Sequence, residues 1–200
     1  MSDSKERILA AATQRFARYG YDGTSLQDIA DDVGMRKPSL LYHFSSKSVL
    51  REAVLSDLLG RWQTTLPDVL ARAQNGPDRF TALFDEVSGF FEEDPARALL
   101  VMREVVDRPK QTRERLGSAV RPWMELLRGA IEEGKEADRV HKSVDAEAYL
   151  VQCVVLIIGS IVGAQLGAEV FGGDGPVDWA ERQRAEARRI AKNSLFKGAR

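Results

Sequence analysis

Between Val33 and Arg51 the chain carries Arg36, Lys37, Lys47 and Arg51 and no acidic residue, a net of +4 over 19 residues in a protein whose formal net charge is -1. Hydroxyls and rings interleave with these cations at Ser39, Tyr42, His43, Ser45 and Ser46. Cations beside hydroxyls and aromatics are the side chains that meet phosphates and base edges. The chain as a whole is no polycation, so any nucleic-acid binding has to come from this local patch. Other chemistries lack their parts. There is one cysteine, Cys153, and the two histidines, His43 and His141, stand far apart. That excludes a disulfide framework and a Cys-rich metal site, and no metal-ligand spacing is present. No acid/base pair, nucleophile elbow or phosphate loop is legible either, so the chain does not read as an enzyme.

Two short helices around a tight turn would position the basic patch. Thr24-Ser-Leu-Gln27 reads as a capping box, with Leu26, Ile29, Ala30 and Val33 forming the apolar stripe behind it. Gly34 supplies the left-handed backbone that a sharp turn needs. A third helix runs from about Lys37 to Phe44, with Pro38 in its first turn, where a missing N–H costs nothing. Apolar residues at 26, 29, 30, 33, 35, 40 and 44 would lock the pair at a steep angle, which is a helix-turn-helix pattern. Asp28, Asp31 and Asp32 are expected to face away from the basic side. Ahead of the pair, Ile8, Leu9, Ala12, Phe16 and Tyr19 line a first helix, with Asp3 as its cap and Gly20 as its stop. A longer helix starts at Lys47, with Val49, Leu50, Ala53, Val54 and Leu58 inward, and Pro67 is expected to kink or end it.

Strand signals are nearly absent from the remainder. Further helices are expected at about 78–93, 96–106, 111–134, 145–171 and 178–196. Asn75-Gly-Pro77, Asp94-Pro95, Arg108-Pro109 and Gly172-Gly-Asp-Gly-Pro176 punctuate them. At 200 residues, with 44% hydrophobic and 30% charged, the composition is that of a globular chain that needs no disulfide to fold. The fold class is all-α: a three-helix N-terminal domain over residues 1–47, with its motif at 25–44, and a larger helical bundle over 48–200. The helix at 145–171 is apolar almost all round from Leu150 to Val162, and such a helix is expected to be buried on every side. Its length and composition approach those of a membrane span. Gln152, Gln165 and the small residues late in the run favour a buried helix instead. Cys153 reads as a small buried hydrophobe. The N-terminus lacks the apolar stretch of a secretory signal, so the expected compartment is the cytoplasm.

Thr24-Ser-Leu-Gln-Asp-Ile-Ala30, Gly34-Met-Arg-Lys-Pro-Ser-Leu-Leu-Tyr-His-Phe44 and Ser46-Lys47 together resemble the DNA-binding domain of TetR-family transcriptional regulators. The resemblance implies that Lys37, Pro38, Ser39, Tyr42 and His43 face the major groove or its walls, with Arg36 counted beside them. Lys37 would donate to guanine. Thr24, Ser25 and Gln27 would meet phosphate at the start of the second helix, and Lys47 would clamp the backbone. Two positions depart from the family pattern. Arg36 stands where a Ser or Thr usually caps the recognition helix, and a guanidinium cannot accept that hydrogen bond. Leu41 stands where the family has a phosphate-touching tyrosine, and Tyr42, one residue on, is rotated by about 100° from it.

The same resemblance implies an apolar effector pocket, for which Trp62, Phe84, Phe91, Met102, Trp123 and Leu127 are the candidate lining. It also implies a homodimer through the last two helices, at Gly159, Gly163, Gly167, Ala187, Ile190, Ala191 and Leu195; contact within one chain would use those glycines equally well. The implied function is a repressor that binds a palindromic DNA operator as a dimer and is released by a small apolar effector, with no cofactor, metal or membrane. The alternatives are an all-α carrier or enzyme using the same apolar interior, and a membrane-associated helical protein.

Overall fold

Left-handed glycines end the first two helices. Gly20, at φ 75°, follows α1 (Ser2–Tyr19), and Gly34, at φ 69°, follows α2 (Leu26–Asp32). The computed structural model describes residues 2–72, 76–172 and 176–198. Beyond α2 come α3 (Lys37–His43), α4 (Lys47–Arg72), α5 (Gly76–Glu93), α6 (Pro95–Asp107), α7 (Pro109–Glu136), α8 (Ala146–Phe171) and α9 (Pro176–Leu195). The fold is all-α, as the periodicity requires. Helices α6, α7 and α9 each open on a proline, a position where the missing N–H has no helical partner to lose. Asp145 caps α8, accepting from the amides of Glu147 and Ala148. Asp3 sits inside the first turn of α1 rather than ahead of it.

Pro67 does not end α4, which continues to Arg72. Pro122 is likewise carried inside α7. One proline removes one backbone bond, and the turns on either side keep theirs. The turn expected at Asn75-Gly-Pro77 begins outside the described residues, and α5 opens at Gly76.

The chain divides into two compact units, and the division falls inside α4. The first gathers Met1–Thr64 and, from further along the sequence, Ala96–Pro109. Its centre is Ile8, Ala12, Phe16, Ile29, Ala30, Leu40, Leu50 and Leu100, all essentially removed from solvent. Helix α6 is therefore part of this unit, whereas the sequence places it with the bundle. Side chains explain the attachment. Arg51 and Glu104 are both buried and pair through two parallel contacts, with Arg51 Nε donating to Glu104 Oε1 at 2.9 Å. Arg103 Nε donates to the carbonyl of Ala17 at 2.7 Å, and Arg108 reaches Asp22 at 3.3 Å.

The second unit holds Thr65–Pro95 and Lys110–Arg200. There α8 lies along α9, and α5 packs on both. Arg184 pairs with Glu92 at 2.6 Å and Arg188 with Asp85 at 2.7 Å, joining α9 to α5. Burial nevertheless pushes the Glu92 carboxyl up. A second core joins Ile131, Val140, Ala146, Leu195 and Phe196. Backbone bonds from His141 N to Leu195 O and from Lys197 N to Arg139 O, each 3.0 Å, pin the chain's end beside the loop before α8. Burial raises the Cys153 thiol, in keeping with a packed rather than a reactive role.

Helix α8 is not buried on every side. Val151, Val155, Val162, Leu166 and Val170 are all exposed, and most of the apolar stretch Ala146–Ala164 lies outside the chain's own core. An apolar composition records that a helix avoids water, not which surface covers it; α9 and α5 cover one side only.

The buried ion pair yields a stability test. Glu104→Ala leaves the Arg51 guanidinium without its bidentate carboxylate, and the expected loss is about 3–5 kcal/mol in chemical denaturation. A loss below about 1 kcal/mol would show that the pair does not hold α6 in the first unit.

Candidate nucleic-acid interface

The basic patch rests on α2. Ser25 is the N-cap of that helix. Its hydroxyl accepts from Asp28 N at 3.1 Å, and Asp28 Oδ2 accepts from Ser25 N at 2.9 Å. The capping box thus lies one residue later than the expected Thr24–Gln27. Thr24 is buried, and its hydroxyl donates to the carbonyl of Gly20 at 2.8 Å, with that of Arg15 at 3.2 Å, closing the end of α1. It has no face for a phosphate. Gln27 is exposed and donates to Asp31 at 2.7 Å. Asp32 receives two bonds of 2.6 Å from Arg15. Ser25's hydroxyl and amide hold the Asp28 carboxyl below the usual range, the Arg15 guanidinium does the same for Asp32, and Asp32 in turn raises Arg15. All three acids of α2 therefore have partners.

The turn is held from both sides. Arg7 donates to the carbonyl of Val33 at 2.7 Å, and Met35 N returns to Ala30 O at 2.9 Å. A Cβ on Gly34 would meet nothing within 4 Å, so the glycine answers a backbone demand and not a steric one.

In α3, Leu40 is fully buried. At about 100° per residue, Pro38 and Tyr42 lie opposite it on the outer crest. Ser39 and Leu41 flank that crest, and Lys37 and His43 lie nearer the Leu40 side. Tyr42 is 81% exposed and Leu41 36%. The Tyr42 and His43 rings meet edge to face at 5.6 Å. Arg36 occupies the N-cap in extended backbone and makes no side-chain capping bond, as its chemistry requires.

Of the four cations in the patch, two are engaged inside the protein. Arg51 is buried against Glu104. Lys47 Nζ donates to the carbonyls of Tyr21 at 2.8 Å and Thr24 at 2.9 Å, and it sits 4.3 Å from the centre of the Tyr21 ring. The free phosphate clamp expected at Lys47 is in the structure a tie between the α1–α2 loop and α4, with one N–H left over. Ser46 caps α4 by accepting from Val49 N at 3.1 Å, a role its place before Lys47 could have suggested. Arg36, Lys37, Ser39 and Tyr42 remain exposed around α3 and its N-cap.

The residues expected to line an effector pocket divide between the two units. Phe84 and Phe91 are buried on α5, and Trp123 and Leu127 are half-buried on α7, all in the second unit. Met102 lies in the first unit and is about half exposed. The Trp62 side chain lies outside the described residues. The residues expected at a dimer interface divide as well. Ala187, Ala191 and Leu195 are buried within the chain. A Cβ on Gly167 would stand 2.6 Å from the Trp179 ring, and one on Gly163 3.3 Å from Gln183, so both glycines serve the close approach of the chain's own α9. Gly159 and Ile190 stay exposed. The exposed valines and leucine of α8 were not legible as a surface, because the helix is apolar on its covered side as well. A groove between α8 and α9, lined by Ala148, Gln152, Leu156, Ile190 and Ser194 among others, adjoins that exposed side.

Residues 8–54 match the family described as "Bacterial regulatory proteins, tetR family", and residues 76–183 match "Tetracyclin repressor-like, C-terminal domain". The chain belongs to the TetR family. This TetR-family transcriptional regulator is 42% identical over 66 residues to the HTH-type transcriptional regulator RutR of Escherichia coli K12, a stretch covering 33% of this chain and 31% of RutR. It is 48% identical over 48 residues to the negative transcriptional regulator IcaR of the biofilm operon icaADBC in Staphylococcus aureus strain Newman, covering 24% of this chain and 26% of IcaR. The chain thus spans about a third or less of the length of these relatives. Likeness over nearly the whole chain comes from structures. The ketosteroid transcriptional regulator KstR2 of Mycobacterium tuberculosis superposes with a TM-score of 0.75 at 17% identity, covering 97% of this chain and 95% of that one. A putative transcriptional regulator from Saccharomonospora viridis in complex with choline gives 0.72 at 20% identity, covering 98% and 100%.

The engagement of Lys47 changes what its removal should do. Lys47→Ala should lower the stability of the protein by about 1.5–3 kcal/mol, the range for hydrogen bonds to a charged group, as read by thermal or chemical denaturation. Unchanged stability, with only a shallower salt dependence of DNA binding, would restore the phosphate-clamp role.

Proposed function

We propose that this regulator is a repressor that binds a palindromic operator as a homodimer, inserts α3 into the major groove, and is released by a small apolar effector. The observation that carries the DNA contact is the exposure of Arg36, Lys37, Ser39 and Tyr42 on α3 and its N-cap, while the neighbouring acids of α2 have partners of their own. Pro38, also exposed, and the half-buried His43 are assigned to the same contact. Ser25 and Gln27, both exposed, support a phosphate contact at the start of α2. DNA binding is assigned to residues 1–47, with α6 packed on that unit, and effector binding and dimerisation to the rest. The compartment is the cytoplasm, where the operator is. No cofactor enters this function.

The exposed stripe of α8 supports the homodimer. Val151, Val155, Gly159, Val162, Leu166 and Val170 recur at spacings of three and four, and Ile190 of α9 adjoins them. A two-fold axis lets one such surface cover its own copy. Phe84, Phe91, Trp123 and Leu127 support an apolar effector site in the second unit. Two neighbours of this fold are described by a ketosteroid and by bound choline. A carrier or enzyme using the same interior would show no operator-length DNA binding.

Selection of bound fragments from genomic DNA with the purified chain tests the operator; enrichment of a two-fold symmetric sequence is expected, and none would defeat the proposal. The homodimer has its own test. The wild type should sediment as a dimer at micromolar concentration, and Val155→Glu should yield a monomer of unchanged helical content. Operator affinity of that monomer should fall at least about tenfold, equivalent to 1.4 kcal/mol. A monomeric wild type would remove the dimer. Operator DNA should also weaken effector binding by the factor with which effector weakens operator binding, about 5–150-fold, in titrations with and without duplex. Equal affinities would leave a DNA-binding protein without effector control.

A further inference from the structure

We propose that Arg36 reads a guanine in each operator half-site through its major-groove edge, and so fixes one base of the sequence this regulator prefers. The proposal rests on the operator-binding function above and adds the identity of a reading residue and its base. Arg36 sits at the N-cap of α3, a position whose usual work is to accept a hydrogen bond from the helix's first amides. A guanidinium has donors and no acceptor, and no such bond forms. The side chain is exposed and has no hydrogen bond, ion pair or ring contact among the described residues. The other arginines at hand in this unit are engaged. Arg7 donates to Val33, Arg15 to Asp32, Arg51 to Glu104, Arg103 to Ala17 and Arg108 to Asp22. Among the described arginine side chains of this unit Arg36 is the exception, and it stands where the first residues of a recognition helix meet base edges.

Guanine presents two acceptors, O6 and N7, side by side in the major groove, and the planar fork of an arginine matches that pair with two parallel donors. Lys37 beside it is a point charge and suits a phosphate equally well. Between Val33 and Arg51 the chain supplies no carboxylate that would draw the guanidinium back onto the protein.

The test selects duplexes from a library of randomised double-stranded DNA with the full-length wild type, Arg36→Ala, Arg36→Lys and Lys37→Ala, followed by binding titrations on the selected duplex at several salt concentrations. The wild type should require guanine at one position of each half-site. Arg36→Ala should lose that preference, about 5–150-fold, while keeping the salt slope, and Arg36→Lys should recover only part of it. Replacing that guanine by 7-deazaguanine, which lacks the N7 acceptor, should weaken the wild type and leave Arg36→Ala unaffected. Equal weakening on all duplexes, with the salt slope reduced by about 0.9, would make Arg36 a phosphate contact and overturn the proposal. Unchanged preference and affinity in Arg36→Ala would overturn it as well. Wild-type protein that selects no duplex would defeat operator binding itself, a failure distinct from either. Because Arg36 has no partner within the described residues, its variants should melt with the wild type, which separates loss of reading from loss of fold.

Discussion

A helix ends in carbonyls that nothing within it can satisfy, and in the first unit cations from distant parts of the chain satisfy them. Arg103 donates to Ala17 and Arg18 at the end of α1, Arg7 to Val33 at the end of α2, and Lys47 to Tyr21 and Thr24 in the loop between them. Short helices have many ends for their length, so a small three-helix head needs many donors. These contacts bind α1, α2, α4 and α6 into one body around Tyr21, whose ring lies 4.3 Å from both Lys47 and Arg108. The same demand sorts the cations. Those near a carbonyl or a carboxylate are engaged internally, and Arg36 and Lys37, at the start of α3, are not. The surface available to DNA is what this internal demand leaves over.

In the second unit the deciding constraint is apolar. Gly163 and Gly167 lack the side chains that would hold α9 away, and the Trp179 ring and Gln183 fill that space. Helix α8 is thereby secured on one side, while its apolar character continues around the other. A helix apolar all round is stable in water only when every side is covered. The outward face of α9 is different, with Arg189 paired to Glu186 and Arg182 near Asp178. The apolar surface left uncovered is therefore that of α8 itself with the adjoining Ile190, the surface that the proposed self-complementary contact would use.

Much of the fold was legible because its signals are local. Helical periodicity, the stops at Gly20 and Gly34 and the Asp145 cap each depend on a few consecutive residues, and so does the missing cap at Arg36. What was not legible depends on residues far apart. Thr24 and Ser25 can both cap a helix; Ser25 does so because the Thr24 hydroxyl faces the carbonyls of Gly20 and Arg15 once α1 is folded. Lys47 reads as a surface cation until Tyr21 and Thr24, more than twenty positions away, are brought beneath it. Helix α6 joins the first unit through Glu104, which pairs with a residue 53 positions earlier. Gly163 and Gly167 announce close approach without saying from which chain. In each case the residue type was readable and its partner was not.

The pairing of the α2 acids explains how a chain of net charge -1 can present a basic face. Charges act on a duplex over about a Debye length, roughly 10 Å at 0.1 M salt, so most of the 30 acidic residues have no bearing on α3. The carboxylates that matter are those next to the recognition helix, at Asp28, Asp31 and Asp32. Left bare, they would oppose the phosphates that Arg36 and Lys37 attract. Asp32 instead shares a bidentate contact with Arg15, Asp28 receives the Ser25 amide, and Asp31 receives Gln27. The first of these contacts is a cation that neutralises a charge, and the other two are neutral donors that turn the carboxylates onto α2 itself. The internal contacts of α2 therefore also reduce its repulsion toward DNA: Arg15 cancels the Asp32 charge, while Asp28 and Asp31 keep theirs but are turned onto the helix's own donors.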